Sequence, residues 1–413
     1  VTTGKAAPMR RIVVVGNGIA GLTACDSLRA AGFDGELTVV GAEQHQPYSR
    51  PALSKALLHV GEDNVTAHHL PAPGHQAIEL LGVGVTGMDV DARLLTLDDG
   101  GQLPYDGLVI ASGARAKRLA GDPGGDNARV FTLRTVEDAI ALKERITGRP
   151  SVIVVGGGPL GMEIASGCLD AGCQVTMVAS GPPLARHLGG HLSGIFVAAA
   201  LRRGLRLVTS GTARLMGTNE HSPHDAGARV ALADGTELGA DIVVAAIGDE
   251  PNVGWLTGSS LLEGGALRVD SRGRLRPDIV AAGDVAYFPT RLGLRRVPLW
   301  TSAIDQAKVA AVGLLRGDAA PEGDLQPYFW TEGFGLSLKA VGFTPVEGAP
   351  DYCDPGGDSE SLLMSWYGSG GQAGAGNPGT AAAINYRIPI PKLRALANKG
   401  PGVLRPGEAT LPR

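Results

Sequence analysis

Two glycine-rich hexads, Gly16-Asn17-Gly18-Ile19-Ala20-Gly21 and Gly156-Gly157-Gly158-Pro159-Leu160-Gly161, carry the spacing that lets backbone close on phosphate. In each, the first glycine permits a tight turn, the second lets a pyrophosphate approach bare backbone, and the third lets helix and strand pack closely. Unpaired N–H groups at the start of the following helix then attract the phosphate oxygens. Such turns are common, so context decides. Arg11-Ile12-Val13-Val14-Val15 reads as a buried parallel strand before the first hexad, and Leu22, Ala24, Cys25 and Leu28 follow it at helical spacing. Leu37-Thr38-Val39-Val40 supplies a second strand, and Glu43 arrives near the interval at which a carboxylate holds an adenosine ribose hydroxyl. The second hexad has Ser151-Val152-Ile153-Val154-Val155 before it, a helix with Met162, Glu163, Ile164 and Ala165 after it, and Gln174-Val175-Thr176-Met177-Val178 as its partner strand. Two such units imply two dinucleotides.

The elements that must position these cradles fit an ordinary globular chain. At 413 residues it exceeds the size at which one core keeps growing, so two or three domains are expected. Apolar residues at 44% and charged residues at 19% are typical of soluble proteins, and the 62 glycines imply many tight turns. A net charge of −4 argues against a protein built to grip nucleic acid. No apolar run is long enough for a membrane span, and Val1-Thr2-Thr3-Gly4-Lys5 lacks the apolar core of a signal peptide, so a cytoplasmic enzyme is expected, with residues 1–8 a loose tail. Cys25, Cys168, Cys173 and Cys353 are too scattered for a disulfide framework or a metal site, and no metal is expected.

Between the hexads lies Gln46-Pro47-Tyr48-Ser49-Arg50-Pro51-Ala52-Leu53-Ser54-Lys55, an extended lead-in to a helix through Ala56-Leu57-Leu58 that Ser54 would cap. It is similar to the P-Y-x-R-P-P-L-S-K element of the FAD-dependent ferredoxin reductases, the family of putidaredoxin reductase, rubredoxin reductase and the reductases of aromatic-ring dioxygenases. The resemblance implies an α/β fold of two Rossmann-like domains of the glutathione-reductase type plus a small C-terminal α+β domain. FAD would bind over 9–114 and 248–320, NADH or NADPH over 115–247, and 321–413 would form the C-terminal domain. It also implies electron flow from NAD(P)H through FAD to a [2Fe–2S] ferredoxin serving an oxygenase or cytochrome P450, by a monomer or homodimer.

Carried onto this chain, the family pattern makes Lys55 and Glu163 the catalytic pair, an ion pair close to the flavin. At the start of its helix, Glu163 could equally complement the macrodipole. Arg50 and Pro51 line the same pocket. The pyrophosphate turn of the FAD site is Gly16, Gly18, Ile19, Ala20 and Gly21, with Glu43 at the ribose. Further FAD contacts fall to Val85, in the alternating run from Val83 to Leu97, to Ala111-Ser112-Gly113 after the buried strand Tyr105–Ile110, and to Arg134 in the linker from Phe131 to Ala139. Gly283 and Asp284 end a strand with the combination that can admit a cofactor and hold a ribityl hydroxyl. Val297 would offer backbone contacts, and Trp300 would open a helix beneath the ring. The nicotinamide nucleotide falls to Gly156, Gly158, Pro159, Leu160, Gly161 and Glu163, with Gly248 at the return crossover.

The chain departs from the family at two places. Ala179-Ser180-Gly181 stands where an acidic residue usually binds the NADH ribose, and the nearest basic residues for an NADP phosphate are Arg186 and His187, so the preference stays open. Ala42 likewise stands where an acid usually meets the FAD ribose, which leaves that task to Glu43. The C-x4-C spacing of Cys168 and Cys173 occurs in some flavin disulfide reductases, but a helix position followed by a strand entry suits buried, inert thiols. Gln326–Glu332 is similar to the element that opens the C-terminal domain, Leu336–Val341 would be its next strand, Gly368–Gly379 a hairpin or loop, and Asn219–Gly227 a polar loop in the second domain. Arg291, Arg295 and Arg296, with Arg387, Lys392 and Arg394, are candidates for a basic rim facing an acidic ferredoxin. The competing reading is a biosynthetic flavoenzyme acting directly on a small organic substrate, which would tolerate the missing ribose carboxylate at Ala179.

Overall fold

The computed structural model describes residues 9–58, 68–122, 129–216, 227–357, 360–367 and 379–403. The tail over 1–8, and all but the last residue of the loops expected over 219–227 and 368–379, lie outside the described residues. The chain divides into two compact units, one drawn from the residues described within Val1–Ser49, Thr66–Arg115 and Glu250–Pro327, the other from those within Arg50–Val65, Ala116–Asp249 and Tyr328–Arg413.

The first unit is organised on a six-stranded sheet in the order Arg274–Arg276, Ile279–Ala281, Gly107–Ile110, Arg11–Val15, Glu36–Gly41, Ile78–Leu81. All neighbours run parallel except the first pair. The run Ile12-Val13-Val14-Val15 is apolar without a break because its strand is central and buried on both faces. Ile12 and Val14 pack with the helices Ile19–Ala30 and Trp300–Arg316, while Val13 and Val15 pack with Leu95, Tyr105, Leu256 and Phe288. Small residues at Ala24, Ala303, Ala307, Ala310 and Ala311 fill the layer containing the two helices.

The second unit repeats the plan. Its five-stranded parallel sheet has the order Arg206–Thr209, Gln174–Ala179, Ser151–Val155, Ile242–Ala245, Val130–Phe131. The helix Val136–Ile146 starts from a capping box, with Thr135 accepting from the Asp138 N–H and the Asp138 carboxylate accepting from the Thr135 N–H. A three-stranded antiparallel sheet, Ala213–Leu215, Ala228–Leu232 and Glu237–Ala240, covers one face through Leu215, Val230 and Leu232. Residues from Tyr328 onward belong to this unit but build a sheet of their own, Tyr328–Gly333, Leu336–Val341, Thr380–Ile384, Leu362–Trp366, Tyr352–Pro355. The helix Ile390–Lys399 closes that sheet with Leu393, Leu396 and Ala397. Among the described residues no helix is long and apolar enough to cross a membrane, and no cluster of metal-ligating side chains occurs.

Candidate functional site

The first cradle is a strand-turn-helix whose glycines are required one by one. Gly16 has φ +111°, and a Cβ there would fall 2.2 Å from the Ala111 carbonyl oxygen. A Cβ on Gly21 would lie 1.8 Å from the Gly16 oxygen, so any side chain would push helix from strand. Gly18 differs: nothing lies within 4 Å of its Cβ position, which leaves the backbone open to a ligand. The N–H groups of Ile19, Ala20 and Gly21 precede the first helical bond, Leu22 N–H to Gly18 O at 2.9 Å, and Gly18 provides no side-chain cap. Asn17 Nδ2 is buried without a partner beside them. Three backbone donors, an orphaned amide and open space over Gly18 fit the pyrophosphate of a dinucleotide.

Glu43 is half-buried, and its carboxylate accepts the Tyr48 hydroxyl at 2.5 Å, so the tyrosine of the proline-rich segment orients the ribose candidate. Sequence reasoning did not assign Tyr48 this task. Ser112, expected at the cofactor, uses its hydroxyl elsewhere: Oγ donates to Asn252 O at 2.8 Å and Asn252 Nδ2 donates to Ser112 O at 2.9 Å. This reciprocal clamp leaves Ala111 and Gly113, with φ +67° at the latter, to shape the backbone. Gly283, φ +83°, sits against the cradle helix, since a Cβ would come 2.9 Å from Ala20 Cβ. Its N–H donates to Gln306 Oε1 at 2.8 Å, and Gln306, wholly buried with its Nε2 unpartnered, is a second residue the sequence did not reveal. Asp284 is half-buried, with its carbonyl accepting from Arg296 Nη1 at 3.2 Å. Thus Arg296 turns inward, whereas Arg291 and Arg295 are exposed beside Leu292 and Leu294 on the hairpin around Gly293–Arg295. Val85 lies in the strand Val85–Asp89, Val297 O accepts from Leu299 N–H at 2.8 Å, and Trp300 opens the helix Trp300–Arg316 half-buried.

In the second unit the same turn recurs with nearly the same numbers. Gly156 has φ +119° and a Cβ position 2.2 Å from Ala246 O, and that of Gly161 lies 2.0 Å from Gly156 O. Pro159 begins the helix, and the first helical bond is Met162 N–H to Gly158 O at 3.0 Å. Gly248, φ +105°, accepts from Lys117 N–H at 3.0 Å. Ala179 is buried, and a Cβ added to Gly157 would come 3.0 Å from its methyl, so a small side chain beside the glycine turn stands at the position expected from the family to carry a ribose acid.

Glu163 extends from this helix into a set of donors. Lys55 Nζ lies 2.8 Å from Glu163 Oε1, with the side chains 16% and 6% exposed. Thr331 Oγ1 donates to the same oxygen at 2.6 Å, and Ser54 Oγ donates to Oε2. Three donors satisfy this buried carboxylate, and Glu163 stands beyond the first turn of the helix Pro159–Asp170, so the helix macrodipole does not account for it. Lys55 Nζ is also 6.0 Å from the centroid of Trp330, which stacks on Tyr328 at 5.8 Å. The helix expected after Ser54 is instead a pair of 3-10 turns, Arg50–Ala52 and Ala56–Leu58, closed by Leu53 N–H to Arg50 O and Leu58 N–H to Lys55 O. Ser54 caps nothing because its hydroxyl is spent on Glu163. Arg50 Nη1 donates to Arg134 O at 2.8 Å, which ties the turn to the linker before the capping box.

The described chain carries no disulfide. Cys25, Cys168 and Cys173 are buried and Cys353 is exposed, all as free thiols. Burial pushes Cys25 and Cys168 up to about 12, and Cys173 Sγ donates to Ile146 O at 3.6 Å.

Residues 10–307 match the family model for pyridine nucleotide-disulphide oxidoreductases. The chain belongs to that family. It is 33% identical, over 80% of its length and 81% of the relative's, to the ferredoxin–NAD(+) reductase component of the p-cumate 2,3-dioxygenase system of Pseudomonas putida. It is 34% identical to rhodocoxin reductase of Rhodococcus erythropolis over 81% of this chain and 78% of that one. Among solved structures, the covalent putidaredoxin reductase-putidaredoxin complex matches with a TM-score of 0.81 at 26% identity, covering 95% of this chain and 94% of the other. The fold is therefore the two-cradle α/β fold of this family.

Proposed function

We propose that this chain is an FAD-dependent NAD(P)H:ferredoxin oxidoreductase, passing electrons to a [2Fe–2S] ferredoxin that serves an oxygenase or cytochrome P450. The observation that carries the reading is one chain with two matched phosphate cradles, the first open at Gly18 and the second bearing a buried Lys55–Glu163 pair. Bound flavin supplies hydride acceptance and one-electron release.

The protein supplies binding and orientation. Gly16, Gly18 and the N–H groups of Ile19, Ala20 and Gly21 would hold the FAD pyrophosphate, Glu43 steadied by Tyr48 the adenosine ribose, and Asp284 the ribityl chain. Ala111, Gly113, Val85, Val297 and Trp300 complete the candidate cofactor contacts of the first unit. Gly156, Gly158, Gly161 and Leu160 would hold the nicotinamide nucleotide. Lys55 and Glu163, each satisfied by the other, keep a fixed charge pair available to orient the carboxamide. The p-cumate system relative is named a ferredoxin–NAD(+) reductase component, which favours NADH as donor. Because Ala179 presents no carboxylate to grip a 2′-hydroxyl or repel a 2′-phosphate, discrimination against NADPH is expected to be weak.

The test is anaerobic mixing of FAD-loaded protein with NADH or NADPH. Rapid bleaching of the flavin, followed by cytochrome c reduction only when a [2Fe–2S] ferredoxin is added, is the expected result. Bleaching by neither nucleotide would overturn the reading and favour a flavoenzyme acting directly on an organic substrate.

A further inference from the structure

The two cradles match at their first and third glycines but not at the second. Over Gly18 there is open space, whereas a Cβ built on Gly158 would meet His187 Cε1 at 3.3 Å and Nε2 at 3.8 Å. The donor sets differ too. In the first cradle Ile19, Ala20 and Gly21 each contribute an N–H ahead of the first helical bond. In the second, Pro159 fills the first position and has no N–H, which leaves Leu160 and Gly161.

The imidazole is placed by a built segment. Leu184 N–H donates to Gly157 O at 2.7 Å, His187 N–H donates to Leu184 O at 2.9 Å, and Val346 N–H donates to Leu188 O at 3.2 Å. Pro183 Cα lies 3.1 Å from the Gly157 Cβ position, Leu184 and Leu188 are each 1% exposed, and Leu184 holds φ +65°, a conformation a leucine keeps only under such constraint. One edge of the ring therefore rests on Gly158 while the residue as a whole stays exposed to an incoming ligand.

We propose that His187 is a pyrophosphate ligand of the second cradle, standing in for the backbone N–H that Pro159 lacks. The proposal rests on the reading that this cradle takes a pyridine dinucleotide. A neutral imidazole can donate one ring N–H to a phosphate oxygen, and an imidazolium adds charge to the same bond. Partial burial, with Arg186 beside it, holds the free imidazole below its usual value. Arg186 is the one charged group that shifts it, and Gly158 and Leu184, which it meets, carry no ionisable group. A doubly negative pyrophosphate favours the protonated ring, so binding takes up a proton and affinity falls as the pH rises.

The experiment uses FAD-loaded protein and ADP-ribose, which carries the pyrophosphate but no redox group. Calorimetric titration between about pH 6 and about pH 8, in two buffers of different ionisation heat, reads affinity and proton uptake together. For the wild type, affinity is expected to fall about fivefold or more across that range, with fractional proton uptake. For His187→Gln, binding at the lower pH should weaken by about tenfold and the pH slope should vanish, with an unchanged melting temperature. Pro159→Ala, which restores an N–H, should recover part of the affinity in the His187→Gln background. If His187→Gln keeps both affinity and slope, the inference fails while the nucleotide reading stands. If neither protein binds ADP-ribose, the nucleotide reading of the second cradle fails and takes the inference with it.

Discussion

Thr331 Oγ1 donates to Glu163 Oε1 at 2.6 Å, so the first strand of the C-terminal sheet helps to hold the carboxylate carried by the second-cradle helix. The neighbouring turn reinforces the link, with Phe334 N–H donating to Ser166 Oγ at 2.8 Å from the same helix. The sheet that begins at Tyr328 is thereby joined to the second-cradle helix through a buried, charged side chain.

This makes the Glu163 set a measurable unit. Thr331→Val removes one donor from a buried carboxylate and should destabilise the protein by about 1–3 kcal/mol. Lys55→Met leaves a buried charge without its counter-ion and should cost about 3–5 kcal/mol. The double variant Lys55→Met/Glu163→Gln should recover much of that loss, because no unpaired charge remains. A double-mutant cycle followed by denaturation checks this, and strict additivity of the two single changes would contradict it.

The cradle glycines separate folding from binding. Gly16→Ala places a methyl 2.2 Å from a carbonyl at a positive φ, so the variant should express poorly or melt early. Gly18→Ala meets nothing within 4 Å and should keep the fold and the melting temperature of the apoprotein. Its methyl enters the space a pyrophosphate needs, so the FAD dissociation constant should rise by about tenfold or more. Equilibrium dialysis of FAD against the purified variants checks both outcomes, and a Gly18→Ala protein that holds FAD normally would remove the cradle assignment.

These glycines were legible because their constraint is local: a tight turn between a β-branched run and a helix leaves a side chain no room. Glu163 and Lys55 were legible only through likeness to a family, since 108 residues separate the partners. Ser54 and Thr331 were not legible as its donors. Their bonds to Glu163 span 109 and 168 residues, and a hydroxyl before a short apolar run looks the same whether it caps a helix or reaches a distant carboxylate. Tyr48, Asn252 and Gln306 escaped for the same reason, each being a polar side chain whose partner is chosen by tertiary packing.

The repetition of plan also reaches the acidic residues at the strand starts. Asp106 accepts from Arg10 and Arg11 N–H at 3.0 and 2.8 Å and from Arg11 Nη2 at 3.0 Å, immediately before the strand Gly107–Ile110. Asp241 accepts from Ser151 N–H and Oγ, each at 2.7 Å, immediately before Ile242–Ala245. The Arg11 hydrogen bond and the backbone donors hold Asp106 below the usual carboxylate range, and the Ser151 hydroxyl and N–H do the same for Asp241. A folded pKa below the unfolded one gives stability that is present above the unfolded value, about 3.9 for aspartate, and lost as pH falls through the folded value. Melting temperature should therefore drop below about pH 4, and Asp106→Asn should lower it at neutral pH while flattening that acid limb. An acid limb unchanged in Asp106→Asn would show that the carboxylate contributes nothing.

The cysteines distinguish electron transfer through flavin alone from the dithiol chemistry in the family's name. Cys25 and Cys168, buried and pushed up to about 12, hold almost no thiolate near neutral pH, and Cys173 is buried just before the strand Gln174–Ala179. Cys353 is the exposed thiol. Treatment of the native protein with iodoacetamide should label Cys353 alone, and the other three only after unfolding. Cys168→Ser and Cys173→Ser should leave flavin reduction by NADH and electron delivery to ferredoxin unchanged, because burial raises both thiols and keeps them protonated near neutral pH. A loss of turnover in either variant, with its melting temperature intact, would place a thiol in the electron path and displace the assignment made to Lys55 and Glu163.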